Sequence, residues 1–190
     1  AVAPATICNG NCATLTASGA NTYTWAPATA LSATTGAIVN ACPTITTTYT
    51  VTGTAVTGCT DTQTVTVTVN PNPTVAVAPA TICNGNCATL TASGASTYTW
   101  APATALSATT GAVVNACPTI TTTYTVTGTA VTGCTDTQTV TVTVNPNPTI
   151  TVNSGSICSG SSFTMTPSGA STYTFSSGAA IGSPTSTTSY

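Results

Sequence analysis

The clearest pattern in the chain is an alternation of threonine with apolar residues in short runs. The run TVTVTV covers Thr64 to Val69 and shows the alternation without interruption. Successive side chains of a strand point to opposite faces, so Val65 and Val67 would face a core while Thr64 and Thr66 face solvent. The pattern predicts a strand that is buried on one side.

Reading the same alternation through residues 74–144 predicts seven strands. Gly, Pro, Asn and Ser interrupt the runs roughly every eight to twelve residues, and no segment has a helical period. The order is typical of an all-β, immunoglobulin-like sandwich. The expected strands are Thr74 to Ala78, Ala88 to Ala92, Thr97 to Trp100, a short irregular stretch around Leu106, Ala112 to Ala116, Thr123 to Ala130 and Thr135 to Val144.

The inward positions of these strands form the candidate core. A single Trp on the third strand is typical of immunoglobulin-type sandwiches. Tyr49 and Tyr124 open the sixth strand, where they would be either a tyrosine corner or ordinary core residues. The core candidates are Leu15, Tyr23, Trp25, Val39, Val51, Val65 and Val67, with their copies Leu90, Tyr98, Trp100, Val114, Val126, Val140 and Val142.

The whole pattern recurs with a period of 75 residues. Cys8, Cys83 and Cys158 are spaced by this period, and the first two copies are nearly identical while the third has diverged. Each of the first two copies ends in NPNPT, whose two prolines favour a stiff, extended joint. The expected domains are repeat 1 (1–71), repeat 2 (72–146) and an incomplete repeat 3 (147–190). An array of such repeats would be a semi-rigid rod with a step of about 33 Å per repeat, the length of a ten-residue strand.

Composition excludes most other functions. The chain contains no Lys, Arg or His, and Asp61 and Asp136 supply its only side-chain carboxylates. General acid and base chemistry lacks partners, so we expect no enzyme, no catalytic residues and no cofactor. Phosphate neutralisation is impossible without basic residues, which excludes nucleic acid as a partner. One Asp per repeat is a poor calcium site, and no apolar run is long enough to span a membrane.

Nine cysteines at recurring positions indicate disulfides and an oxidising compartment. A zinc site at Cys8 and Cys12 is the alternative, but no second close pair completes it, so we expect no metal.

The third copy suggests which cysteines pair. It has Ser162 and Ser183 where the other copies have Cys12 and Cys42, so both members of one pair are lost together. We therefore expect Cys12 with Cys42 and Cys87 with Cys117, which leaves Cys8 with Cys59 and Cys83 with Cys134. The loops of this second set would lie at opposite ends of a simple sandwich, so a bond between repeats, such as Cys8 with Cys134, stays open.

Several strings carry a resemblance to a known family. ICNGNCATLTASGANTYTWAPATALSATTG, TTTYTVTG, GCTDTQTVTVTV and PNPT resemble the immunoglobulin-like repeats of large secreted surface proteins of Bacteroidota-type bacteria, such as gliding-motility adhesins exported by the type 9 route. The resemblance implies an extracellular filament or stalk on a bacterial cell surface. It also implies candidate O-glycosylation at Thr62 and Thr137, which follow Asp in TDTQ; plain strand-edge threonines are the alternative.

The leading functional hypothesis is therefore structural: a non-catalytic filament or adhesin stalk. Its partners would be neighbouring copies or repeats of the same protein and surface glycans. The alternative is a binding module, in which outward threonine ladders would bind ice or loop aromatics would bind glycans. Trp25 and Trp100 lie in strand positions that favour a core role over a sugar platform.

Overall fold

The computed structural model describes residues 1–174, and every regular element in that range is a β-strand. The chain divides into two compact units, Ala1–Val144 and Asn145–Tyr190. The first unit contains repeats 1 and 2, each folded as a sandwich of two sheets. The chain is thus an all-β protein of tandem immunoglobulin-like modules.

Repeat 1 has six strands. The strands are β1 (Ala5–Cys8), β2 (Ala13–Thr16), β3 (Thr22–Ala26), β4 (Ile38–Ala41), β5 (Thr47–Thr54) and β6 (Thr60–Asn70). One sheet has the order β1-β6-β5-β3 and the other pairs β2 with β4. Strand β1 runs parallel to the end of β6, whereas the remaining pairs are antiparallel.

Repeat 2 has the same arrangement with one additional strand. Its strands are β7 (Ala76–Val77), β8 (Ala80–Cys83), β9 (Ala88–Ser93), β10 (Thr97–Ala101), β11 (Val113–Ala116), β12 (Thr122–Thr129) and β13 (Thr135–Asn145). The sheets have the orders β10-β12-β13-β8 and β11-β9-β7. The two short strands β7 and β8 therefore lie in different sheets, so the chain crosses from one sheet to the other as it enters the sandwich.

The strand prediction needs two corrections. The stretch around Leu106 is not a strand, because Leu106 makes only an isolated bridge to Ala116. Conversely, Ala80–Cys83 is a strand that the sequence reading did not predict. Only Ala78 and Pro79 separate it from β7, so the sequence reading placed one strand where the structure has two, and its place comes from pairing with β13, which is distant in sequence.

The core lies between the two sheets of each sandwich. Val65 and Val67 on β6, with Val51 on β5, face Leu15 and Val39 on β2 and β4, and all five are buried. Every predicted core residue is buried except Tyr23, which is half-buried. The core also takes up small residues that carry little sequence signal, namely Ala13, Ala17, Ala41, Ala88, Ala92 and Ala116.

An irregular segment of residues 28–36 covers the sheet edges of repeat 1. The Trp25 backbone N–H donates to the Thr34 carbonyl (2.8 Å) on one side, and Ser32 donates to the Asn40 carbonyl (2.8 Å) on the other. The Trp25 indole donates to the Gly36 carbonyl at 2.9 Å. Because the segment occupies edge hydrogen-bonding groups of both sheets, it limits unwanted pairing with other strands.

Tyr49 anchors this segment from inside the core. Its ring is fully buried, and its hydroxyl donates to the Thr29 carbonyl at 3.0 Å. The partner lies 20 residues upstream, so Tyr49 is not a tyrosine corner, in which the partner is a few residues away. Tyr124 makes the same contact with Thr104 in repeat 2. Burial raises the pKa of both phenols above the ordinary value, so they remain neutral hydrogen-bond donors.

The described part of the second unit contains one small sheet. Strands β14 (Thr151–Val152) and β15 (Pro167–Ser168) pair antiparallel. The Asn153 side chain extends the pairing through hydrogen bonds to the Thr164 carbonyl and the Thr166 N–H. Ser162 lies in this part of the chain, whereas Ser183 lies outside the described residues.

Two equivalent glycines allow a matched test of how the linker enters repeat 2. Gly94 and Gly19 both have positive φ, at 94° and 102°. A Cβ at Gly94 would overlap the Thr74 carbonyl, whereas a Cβ at Gly19 would have no atom within 4 Å. Both Gly→Ala changes strain the backbone, but only Gly94→Ala also displaces the linker.

We expect Gly94→Ala to lower the free energy of unfolding by at least about 1 kcal/mol more than Gly19→Ala does. Equilibrium denaturation of both variants, followed by tryptophan fluorescence, measures this difference. Equal losses would show that the Thr74 carbonyl does not hold this position in solution.

Candidate functional site at the joint between repeats

The charged residues do not form a reactive site. Asp61 and Asp136 occupy equivalent positions on β6 and β13 and are not brought together. Asp136 accepts a hydrogen bond from the Val75 N–H at 3.0 Å, which is a structural role. Within residues 1–174 there is no group of three or more His, Cys, Asp or Glu side chains that would hold a metal.

The most specific cluster of contacts is the joint between repeats 1 and 2, and it begins where β1 ends. Cys8 lies opposite Asn70, the last residue of β6. The Asn9 N–H donates to the Asn70 carbonyl at 2.9 Å, and the Asn72 side chain donates to the Asn9 carbonyl at 3.1 Å. The turn after β1 therefore holds the first half of the linker.

The other half of the linker is held by repeat 2. Val75 is only 6% exposed and packs into the core of that repeat. Its side chain lies against Gly128, beside Tyr98, and its N–H is bonded to Asp136. Repeat 1 has no counterpart of Val75 in this sequence, which explains why Tyr23 is more exposed than Tyr98. The linker is thus attached to repeat 1 through Asn72 and to repeat 2 through Val75.

A disulfide closes the joint covalently. Cys8 of repeat 1 is bonded to Cys134 in the turn between β12 and β13 of repeat 2, with a Cα–Cα distance of 5.5 Å. Cys134 is fully buried, whereas its equivalent Cys59 in repeat 1 is exposed. The neighbouring repeat thus accounts for the burial of this turn.

This bond overturns the expected pairing of Cys8 with Cys59 and of Cys83 with Cys134. Cys59 precedes the first residue of β6, and Cys8 lies beside its last residue. At about 3.3 Å per residue, those two ends are separated by more than 30 Å. A disulfide requires Cα atoms within about 7 Å, so the two cysteines of one repeat cannot pair. Cys83, Cys59 and Cys158 are free thiols, all exposed.

The two remaining disulfides lie within the repeats. Cys12 is bonded to Cys42 and Cys87 to Cys117, each with a Cα–Cα distance of 4.1 Å. Each pair follows the register of adjacent antiparallel strands, since Ala13 faces Ala41. Each bond therefore links two neighbouring strands of the same sheet and does not cross the core between the sheets. With a separation of 30 residues, each contributes roughly 3 to 4 kcal/mol in the chain-entropy model.

A shallow cleft lies beside the linker. It has a volume of about 370 Å³ and is lined by the two linker prolines, Pro71 and Pro73, with Ala95 and Val131 among the residues of repeat 2. None of its lining residues carries a charge. Its polar lining residues are Asn72, Ser96 and Thr132.

The outer face of each four-stranded sheet is a grid of threonines. Across repeat 1, Thr24, Thr52 and Thr62 lie side by side on β3, β5 and β6. The Thr48 and Thr66 hydroxyls are hydrogen-bonded at 2.9 Å. The grid of repeat 1 consists of Thr6, Thr22, Thr24, Thr48, Thr50, Thr52, Thr54, Thr60, Thr62, Thr64, Thr66 and Thr68.

The remaining predicted residues are placed as follows. The glycosylation candidates Thr62 and Thr137 are both exposed on this face, and Thr137 lies opposite Thr127. Trp25 and Trp100 are only 3% and 4% exposed. Neither Trp is available as a sugar platform. Among the described residues, no helix long and apolar enough to cross a membrane is found.

Comparisons with known proteins bear on the fold alone. No family model matches the chain, and neither does any curated protein. The chain is similar to a solved structure of DIP-gamma IG1+IG2, at 14% identity and a TM-score of 0.39, covering 75% of this chain and 94% of that one.

Two further solved structures are similar at the same level. The titin I-band fragment I67-I69 is 13% identical with a TM-score of 0.39, covering 77% of this chain and 64% of that one. The insect immune protein hemolin is 15% identical with a TM-score of 0.38, covering 75% and 45%. Likenesses at this level carry no argument about function, and the sandwich assignment rests on the strand order itself.

The disulfide pattern predicts a definite number of free thiols. Nine cysteines less the six in disulfides leaves three, Cys59, Cys83 and Cys158. A thiol reagent should therefore titrate three groups in the oxidised chain, both folded and in denaturant. Pairing of Cys8 with Cys59 and of Cys83 with Cys134 would leave Cys158 alone. Chymotryptic mapping without reductant should link the Cys8 and Cys134 peptides, and recovery of Cys8 with Cys59 would contradict the structure.

Proposed function

We propose that this chain is part of a structural, non-catalytic, extracellular repeat protein that forms a filament or adhesin stalk on a bacterial surface. The joint between repeats carries the proposal. A binding domain does not need its neighbour fixed at a defined position, whereas a stalk must hold successive domains in register.

Three kinds of contact support a stiff connection. The linker prolines restrict the backbone. Hydrogen bonds fix the linker to the turn after β1 on one side, while Val75 and Asp136 fix it on the other. The bond between Cys8 and Cys134 adds a covalent tie away from the linker. With two separate points of attachment, one repeat can neither bend nor rotate freely relative to the next.

The chemistry of the chain fits an exposed location. The three disulfides favour an oxidising compartment. The near absence of charge removes electrostatic repulsion between neighbouring rods, which favours other copies or repeats of the same protein as partners. The bacterial surface and the type 9 export route rest on the family resemblance. We retain 1–71, 72–146 and 147–190 as the proposed repeat units.

Electron microscopy of the native secreted protein tests this proposal. We expect straight rods with an axial step of about 33 Å per repeat. The Cys8→Ser/Cys134→Ser variant should give visibly bent rods with a shorter persistence length. Cys12→Ser/Cys42→Ser removes a disulfide within one repeat, leaves the joint intact and should leave the rods straight. Compact globular particles from the native protein would refute the stalk.

The threonine grid favours a second candidate, a binding module for ice. Its hydroxyls would repeat every ~4.8 Å across strands and every ~6.8 Å along them. A regular, uncharged array of this kind offers anchoring points for ordered water. A glycan-binding role has less support, because both Trp side chains are buried in the cores.

Thermal hysteresis of the native chain measures this second candidate. If the grid binds ice, Thr64→Lys/Thr139→Lys in the middle of the two grids should abolish hysteresis. Thr14→Lys/Thr89→Lys, on the outer faces of the other sheets, should preserve it. The absence of hysteresis and ice shaping in the native chain would eliminate ice binding.

A further inference from the structure

The inter-repeat disulfide is formed by two positions that occur again, unbonded, elsewhere in the chain. Cys83 and Cys158 correspond to Cys8, which lies in a turn that faces the following repeat. Cys59 corresponds to Cys134, which lies in the turn between the last two strands of its repeat. This turn faces the preceding repeat and is called the receiving turn. Each of the three free thiols therefore occupies a position whose counterpart elsewhere in the chain forms the inter-repeat disulfide.

The turns that carry the free Cys8-type thiols already have the bonded geometry. Asn11 donates to the Cys8 carbonyl at 3.0 Å, and Asn86 and Ser161 make the same 3.0 Å bond to Cys83 and Cys158. The glycine inside the turn has φ of 91° beside Cys8, and 93° and 86° in the other two. These turns need no rearrangement to present the sulfur.

The receiving turn of repeat 1 matches its bonded counterpart equally well. Ala55 donates to the Cys59 carbonyl at 2.9 Å, as Ala130 does to the Cys134 carbonyl at 2.8 Å. Gly58 and Gly133 have the same φ of 84°. What differs is exposure, since Cys59 is open to solvent and Cys134 is covered by the neighbouring repeat.

We infer that Cys59, Cys83 and Cys158 are docking sites for further repeats of this same kind, joined in a continuous ladder of inter-repeat disulfides. Cys83 and Cys158 each bond the Cys134-type thiol of the following repeat, and Cys59 bonds the Cys8-type thiol of a preceding one. This ladder goes beyond the proposed function and does not depend on it, because it would form whatever the repeats carry.

Each bond of the ladder is a two-electron oxidation. Two thiols lose their protons and two electrons, and a sulfur–sulfur bond forms between them. A small disulfide such as glutathione disulfide accepts the electrons by thiol–disulfide exchange and leaves as two thiols. A mixed disulfide on the exposed Cys59 or Cys83 is the intermediate, and the partner thiolate displaces the small thiol from it.

Adding one repeat to the full chain tests the ladder. Duplicating Asn70–Val144 directly after Val144 preserves the joint sequence and adds four cysteines, for thirteen in all. If Cys83 bonds the inserted copy of Cys134, ten cysteines are paired and the free thiols remain three after glutathione-buffered refolding. Without that bond eight are paired, and the free thiols rise to five.

Peptide mapping distinguishes the ladder from chance oxidation. The inserted copies of Cys87 and Cys117 should be bonded to each other, which shows that the added repeat has folded. In that folded chain, a peptide joining Cys83 to the inserted copy of Cys134 is the expected result. Cys83→Ser should raise the thiol number from three to four, whereas Cys59→Ser should lower it to two. Five thiols, or Cys83 joined to any other cysteine, would overturn the inference.

Discussion

The attachment of repeat 1 to repeat 2 is the constraint on which the rest of the structure depends. A sandwich of about 75 residues buries a small core, and small cores leave little stability after conformational entropy is subtracted. The Cys8–Cys134 bond, with a separation of 126 residues, contributes about 5 kcal/mol in the chain-entropy model. Burial of Val75 and the bond to Asp136 connect the linker to the same interface. Stability and alignment therefore come from the same few residues.

Local features of the fold could be predicted from sequence, because alternation reports which face of a strand is buried. The Thr/Val run in β6 and the Trp on β3 were sufficient to place the sheets and most of the core. The joint loss of two cysteines in the third copy pointed to a bond between β2 and β4, and the structure contains Cys12 bonded to Cys42. Strand β8 was missed because only Ala78 and Pro79 separate it from β7, so two short strands in different sheets were interpreted as one.

The Cys8–Cys134 bond could not be chosen from sequence for a different reason. Two identical repeats offer the same cysteines to one another, so spacing does not distinguish a partner in the same repeat from one in the next. The choice follows from the length of β6, which places Cys8 and Cys59 at opposite ends of one sandwich. The threonine grid also could not be predicted from single strands, because it depends on the register in which the strands pair. The grid spans four strands, whereas the sequence of one strand shows only the threonines of that strand.

The position of the Cys8–Cys134 bond determines what happens when the chain is pulled from its ends. Tension that arrives along β1 reaches Cys8, crosses the sulfur–sulfur bond and continues from Cys134 along β13. The chain between these two cysteines, which are 126 positions apart in sequence, bears no load. At about 3.5 Å per extended residue, the disulfide prevents more than about 400 Å of chain from extending. Many domain arrays absorb force by unfolding and lengthening one domain at a time. Here the strands between the two cysteines, β2 to β12, would be shielded from load, and within the two sandwiches only β1 and β13 would carry it.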